Sequence, residues 1–361
     1  MRRIAVREPL LPLGLAAGAR PGARYSLDQA VIRYSFLLPQ APAHGLPQSP
    51  TTGPGAESKD LVQRPAPLTN GLEDIKMNIR IPVLVSCLTI LSLGNVAAAS
   101  DHDNGVRHYL SLGTSLSVGI QPDASGANQL TDEGYADQLH DIVGPHFRKL
   151  KLTKLGCPGE TTATMMNGGK CDYEEGSQLA QAVEFLHAHK DKVAIVTIDM
   201  GVNDVLAANC IDVSTSNVDS GCLFSAFGTL ANNLITVVTA LKQAAHPDTK
   251  IIAMNYYNTF LAFWLTGLEG QVLAHESALL ADYLNHNVLG YVYTAFEVPV
   301  ADVAAAFESG NFGTSATMGL PQNVLNICVY TYMCADTPVG PNIHANRYGY
   351  GVIAATIAAT L

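Results

Sequence analysis

After residue 100 the chain alternates between short apolar runs rich in β-branched residues and long segments with helical spacing, and this alternation limits the folds open to it. Strands are predicted over 107–112, 149–155, 192–198, 250–256 and 298–303, and helices over 134–143, 177–189, 224–245, 271–296 and 345–360. A run such as "KVAIVTI" is apolar on both faces, as a strand covered by helices on each side must be. The pattern predicts an α/β fold, a three-layer α/β/α sandwich around a mainly parallel sheet. No repeat or linker divides 100–361, and about 260 residues suffice to bury a large core. In such sheets ligands sit beyond the carboxyl ends of the strands. Ser115 follows the first strand and so falls at that edge.

What precedes the alternation differs in kind. Residues 1–76 hold 10 of the 19 prolines, with 9 Lys/Arg against 6 Asp/Glu and no sustained period. They read as a disordered extension or as an over-extended gene start. Residues 77–99, "MNIRIPVLVSCLTILSLGNVAAA", have one early basic residue, an apolar core and a final Ala-Ala-Ala. That is the layout of a secretory signal peptide, with cleavage expected before Ser100. Its apolar core is short for a membrane span. The expected location is therefore secreted, extracellular or periplasmic, with no stable membrane insertion of the mature chain.

The remaining part, 100–361, carries 11 Lys/Arg against 25 Asp/Glu. An acidic body of this kind argues against a nucleic-acid partner, which calls for a basic footprint. It argues equally against electrostatic attachment to an anionic membrane. Cysteine usage agrees with export. Cys87 leaves with the signal peptide, and Cys157, Cys171, Cys210, Cys222, Cys328 and Cys334 remain. An even number in an exported chain suggests disulfides. Six cysteines permit 15 pairings, but these fall as three sequence-local pairs separated by 14, 12 and 6 residues. A metal site is not indicated, because there is no Cys-x2-Cys pair and no close His cluster.

Four segments carry residues suited to chemistry. "HYLSLGTSLSVG" breaks at Gly113 and delivers Ser115 at the end of a strand. A serine nucleophile needs a base for its proton and donors for the developing oxyanion. "KLGCPGETTATM" places Gly159 in a small-residue turn, where no Cβ bars a ligand from the backbone N–H. "TIDMGVNDV" presents Asn203 and Asp204 at the end of the third strand, and "GPNIHANRYGYGVIAATIA" places His344 just ahead of the last helix. Singly, each has a plain structural reading: a turn, a helix cap, a surface histidine.

In this order the four segments resemble the SGNH hydrolases, also called GDSL-type lipases and esterases, over about 107–360. The resemblance implies a flavodoxin-like fold, with Ser115 as nucleophile and His344 as general base. It implies an oxyanion hole from Ser115, Gly159 and Asn203. The three local cysteine pairs resemble secreted members, so the expected disulfides are Cys157–Cys171, Cys210–Cys222 and Cys328–Cys334. The reaction implied is hydrolysis of a carboxylic ester through an acyl-enzyme, without metal or organic cofactor, by a monomer. Substrates would be small-molecule, lipid or acylated-glycan esters. An acyltransferase, a phospholipase and a non-catalytic glycan- or lipid-binding relative are the alternatives.

Two positions depart from the family pattern. Thr114 stands where Asp usually precedes the serine. Pro341 stands where Asp usually lies three residues before the histidine, with Asn342 beside it. Proline keeps its C=O, so the Pro341 carbonyl is the expected partner that orients His344, leaving a Ser–His dyad. Asp336 lies eight residues before His344 and is not favoured. The aromatic stretch "NYYNTFLAFWLTG", which holds the lone Trp264, reads as core or as an acyl-pocket lining.

Overall fold

The computed structural model describes residues 105–212, 217–315 and 318–361. The expected 1–76 extension and the expected signal peptide at 77–99 lie outside the described residues. The main sheet is built from β1 (Val106–Gly113), β4 (Lys149–Lys154), β5 (Val193–Asp199), β8 (Lys250–Met254) and β9 (Val300–Ala301), in the order β4-β1-β5-β8-β9. Every neighbouring pair is parallel. Three two-stranded pieces stand apart from it: β2 (Ile120–Pro122) with β3 (Asn128–Leu130), β6 (Ile211–Asp212) with β7 (Asn217–Val218), and β10 (Thr331–Tyr332) with β11 (Asn342–Ala345).

Ten helices alternate with the strands among the described residues. They are α1 (Tyr135–Val143), α2 (Thr162–Asn167), α3 (Gln178–His189), α4 (Val202–Ala207), α5 (Ser220–Ala244), α6 (Leu268–Tyr283), α7 (Gly290–Ala295), α8 (Val303–Ala306), α9 (Gln322–Tyr330) and α10 (Arg347–Thr360). Helix α1 packs on α10 and α3 packs on α5, which gives the helical layers that flank the sheet. The predicted three-layer α/β/α sandwich is the observed one. Helix α5 shows how the layers are held. Its buried residues Leu223, Phe227, Leu230, Leu234, Val237, Val238 and Leu241 recur every three or four positions, so one stripe enters the core. Asp219 caps its first turn by accepting the Cys222 N–H at 2.9 Å, which starts the helix four residues before the predicted 224.

The predicted helix 271–296 is real but not uniform. Between α6 and α7 the chain widens into a π-helical segment, Leu284–Leu289. The wider turn carries Asn285, whose amide accepts the Tyr256 N–H at 3.0 Å and donates to the Tyr256 carbonyl at 2.8 Å. Tyr256 lies just past the end of β8, so the widening lets one side chain satisfy a strand-end backbone that the sheet leaves unpaired. The last helix begins at Arg347 rather than 345, because Asn342–Ala345 pairs as a strand with β10. The three disulfides are Cys157–Cys171, Cys210–Cys222 and Cys328–Cys334, the expected local pairs.

Candidate active site

Strand β1 runs into the core and turns at its end. Between His108 and Gln121 every residue is buried except Ser115, so the turn presents one side chain to the outside. The strand leaves at Gly113 with φ +131°, and a Cβ there would sit 1.6 Å from Asp199 Oδ1. Only glycine fits this position. The turn is held from several sides. The Gly113 N–H donates to Gln178 Oε1 at 2.7 Å, and Gln178 Nε2 donates back to the Gly113 carbonyl at 3.0 Å. The Thr114 N–H donates to Asp199 Oδ1. Ser117 Oγ donates to the Thr114 carbonyl at 2.7 Å, and the Ile120 N–H to the Ser115 carbonyl at 3.0 Å.

The loop after β4 docks on this turn, with the Cys157 N–H donating to the Gly113 carbonyl at 3.0 Å. Gly159 follows at φ +74°, inside the stretch closed by Cys157–Cys171. Among the described residues no hydrogen bond engages the N–H of Ser115 or of Gly159. Both residues are partly exposed, so these two backbone donors are open to a ligand or to solvent. Asn203, in the first turn of α4, completes the cluster. Its Nδ2 donates to the Glu160 carbonyl at 2.9 Å, which uses one of two amide hydrogens and aims the group at the Gly159 loop. The next residue, Asp204, ties the same loop down by accepting the Thr162 N–H at 3.0 Å. Burial raises the Asp204 carboxyl above its ordinary value, against the pull of these bonds.

His344 sits on β11, outside the main sheet. Tyr350 Oη donates to the Ile120 carbonyl at 2.9 Å, and Asn342 Nδ2 donates to Asn128 Oδ1 at 2.8 Å. These bonds fasten the histidine strand and its following helix to β2 and β3, the segment that leaves the Ser115 turn. His344 itself is 8% exposed. The sequence points to the Pro341 carbonyl as the group that orients it, whereas the structure places Asn342 there. The His344 N–H and Nδ1 both meet Asn342 Oδ1, at 3.0 and 2.7 Å. A backbone N–H can only donate, so the Asn342 atom between them is the carbonyl oxygen. Nδ1 must then carry its proton as well. A neutral ring so bonded leaves Nε2 as the acceptor. Burial holds the imidazole well below its usual pKa, at about 4, so the ring is neutral over most of the pH range. Asp336 lies exposed on the surface.

Sequence reasoning missed Asp199. Its carboxyl is fully buried, Oδ1 holds the Thr114 N–H, and Oδ2 has no hydrogen-bond partner. Burial pushes this carboxyl far above the ordinary carboxylate range. One signal was present: a lone acid inside the apolar run "AIVTIDM". Gln178, also missed, carried none. Among the described residues no group of three or more His, Cys, Asp or Glu side chains is placed to hold a metal ion. Trp264 packs against His275 and Phe312, with ring centroids 5.4 and 5.9 Å away, whereas the first half of its aromatic stretch, Tyr256 to Phe260, lines a cavity.

Residues 111–352 match the family model described as the GDSL-like lipase/acylhydrolase family. No curated protein matches the chain. Among solved structures, the extracellular lipase of Streptomyces rimosus is similar at 18% identity and TM-score 0.48, over 71% of this chain and 100% of that one. Phospholipase A1 of Streptomyces albidoflavus NA297 is similar at 17% identity and TM-score 0.45, over 71% and 99%. The aryl esterase of M. smegmatis is similar at 17% identity and TM-score 0.40, over 70% and 97%.

Proposed function

The chain belongs to the GDSL-like lipase/acylhydrolase family, and on that premise we propose that it is a secreted serine esterase acting through Ser115 and His344. The observation that carries this reading is the presentation of Ser115. It is the one side chain left accessible along a buried strand and turn, at the sheet edge where two N–H donors stand unpaired.

The chemistry proceeds in two halves. His344 Nε2 takes the Ser115 hydroxyl proton as Oγ attacks the ester carbonyl, and Asn342 Oδ1 keeps the ring turned the right way by holding Nδ1–H. The oxygen of the tetrahedral intermediate meets the N–H of Ser115, the N–H of Gly159 and the second amide hydrogen of Asn203. His344 returns the proton to the leaving alcohol, and water then repeats the sequence on the acyl-enzyme. Among the described residues no carboxylate is bonded to His344, whose Nδ1 meets Asn342 Oδ1. Asn342 supplies only the negative end of an amide dipole, so the histidine cation is held less strongly than in an acid-bearing triad. Export of the chain accords with the three disulfides, which persist in oxidising compartments.

The test is covalent labelling with a fluorophosphonate, followed by peptide mapping. Label on Ser115 that disappears in His344→Ala, with ester turnover disappearing in parallel, supports the reading. A protein that binds lipid or glycan but neither labels nor turns over any ester would overturn it.

A further inference from the structure

Lys170 takes no part in the steps assigned to Ser115, His344 and Asn203, yet it lies against one of the same groups. It follows Gly168 and Gly169 and precedes Cys171, so the Cys157–Cys171 disulfide ties its backbone into the loop that carries Gly159. Its half-buried side chain runs across that glycine. A Cβ on Gly159 would sit 3.0 Å from Lys170 Cε and 3.0 Å from Nζ. Backbone bond lengths then put the ammonium within about 5.5 Å of the Gly159 nitrogen.

The ammonium stands there without a counter-ion. Lys170 makes no hydrogen bond and no ion pair among the described residues. Lys154, the cation that ends β4, is by contrast held by Asp137 at 2.9 Å. Glu160 is the acid on which Lys170 acts. It is fully buried and accepts from Gln178 Nε2 at 3.0 Å. Burial pushes its carboxyl above the ordinary value, and Lys170 is the weakest of the groups that draw it back. Asp204, the other acid beside the loop, is raised by burial in the same way. Both are poor partners for a cation. The ammonium, the N–H groups of Ser115 and Gly159 and the second amide hydrogen of Asn203 thus carry the same sign of charge, in a body with 11 Lys/Arg against 25 Asp/Glu over 100–361. Like-signed groups held together repel, and an anion among them relieves that repulsion.

We propose that Lys170 makes the enzyme selective for esters that carry an anionic group, a carboxylate or a phosphate, close to the scissile bond. The inference rests on the reading of Ser115 as nucleophile and adds a substrate class to it. The developing oxyanion is the first anion to meet this positive edge, but every ester supplies it alike, so it does not select among substrates. A permanent charge on the substrate does select. The acidic body disfavours such an ester elsewhere on the chain, and the uncompensated ammonium favours it beside Gly159. A lysine ammonium is a compact point charge without the fork of an arginine, so it asks for charge near the reacting carbonyl rather than for one planar shape.

The test is kcat/KM on paired esters. One pair, p-nitrophenyl hemiglutarate and p-nitrophenyl pentanoate, places a carboxylate on the acyl half. Two others set p-(butanoyloxy)benzoate and p-(butanoyloxy)phenyl phosphate against phenyl butanoate, which places a carboxylate or a phosphate on the alcohol half. Each anionic-to-neutral ratio is compared between variants, so the intrinsic reactivity of the esters cancels. In Lys170→Gln the ratio should fall about tenfold for at least one pair, and in Lys170→Glu further, whereas Lys170→Arg should keep it within about threefold. The pair that responds identifies the half of the ester, and the anion, that Lys170 meets. Turnover in which neither Lys170→Gln nor Lys170→Glu moves any ratio overturns the anion selectivity and leaves Ser115 as nucleophile untouched. A ratio that falls as far in Lys170→Arg as in Lys170→Gln overturns it too, because the charge is then not what counts. Absence of turnover on every ester, together with absence of fluorophosphonate labelling, would overturn the nucleophile reading and this one with it.

Discussion

The two ends of the candidate site are built in different ways. Ser115 is positioned by the main sheet. Its turn leaves a buried central strand, and Gly113 and Thr114 are fixed by Gln178, Asp199 and the Cys157 N–H. His344 belongs to a two-stranded piece outside that sheet, and side chains hold it: Asn342, Tyr257 and Tyr350. The difference separates rigidity from tunability. Displacing Ser115 means disturbing the core, where a buried polar group that loses its partner costs about 1–3 kcal/mol. The histidine's basicity can change with one residue, because a single neutral amide faces its Nδ1–H.

Ser115→Ala and His344→Ala should each remove about 10⁶-fold of kcat, and the double variant should be no worse than either, since the two act as a unit. Circular dichroism of each should match the wild type. Asn203→Ala removes one of the three proposed oxyanion donors and should lower kcat by about 10²–10³. Steady-state kinetics would show the loss in kcat rather than KM. Asn342→Ala leaves a buried imidazole N–H unsatisfied, worth about 1–3 kcal/mol, or about five- to 150-fold in rate. An effect below about threefold would return the orienting role to a main-chain carbonyl. Smallest is Tyr257→Phe, which loses one bond to the histidine strand, about 1 kcal/mol. Thermal unfolding and kcat should both move slightly; an unchanged protein would show that the strand is held without it.

The strand ends were readable in the sequence because a strand buried on both faces must be apolar throughout, as "KVAIVTI" is. The turn at Gly113, the Gly159 loop and Asn203 were readable for a related reason, since each follows such a run at the sheet edge. What lay hidden depends on contacts across long stretches of chain. Asp199 reaches Thr114 across 85 residues, and Gln178 reaches Gly113 across 65. The π-helical widening answers to Tyr256, 29 residues before Asn285. The partner of His344 was missed for a different reason. Asn342 was visible two residues away, but an amide is no anion, and only the folded-back side chain shows its oxygen meeting both the His344 N–H and Nδ1.

The most direct measurement is the pH dependence of Ser115 labelling by a fluorophosphonate, in the wild type and in Asn342→Asp. As the proposed base, His344 must be neutral to accept the serine proton. Its buried ring titrates at about 4, below the ordinary histidine value of about 6.5. The labelling rate should therefore stay level as the pH falls to about 5, then drop about tenfold per unit below pH 4. In Asn342→Asp a carboxylate beside the ring favours its charged form, so the acid limb should move up by about one unit or more. A wild-type limb near pH 6.5 that does not move in Asn342→Asp would contradict a buried His344 base oriented by Asn342.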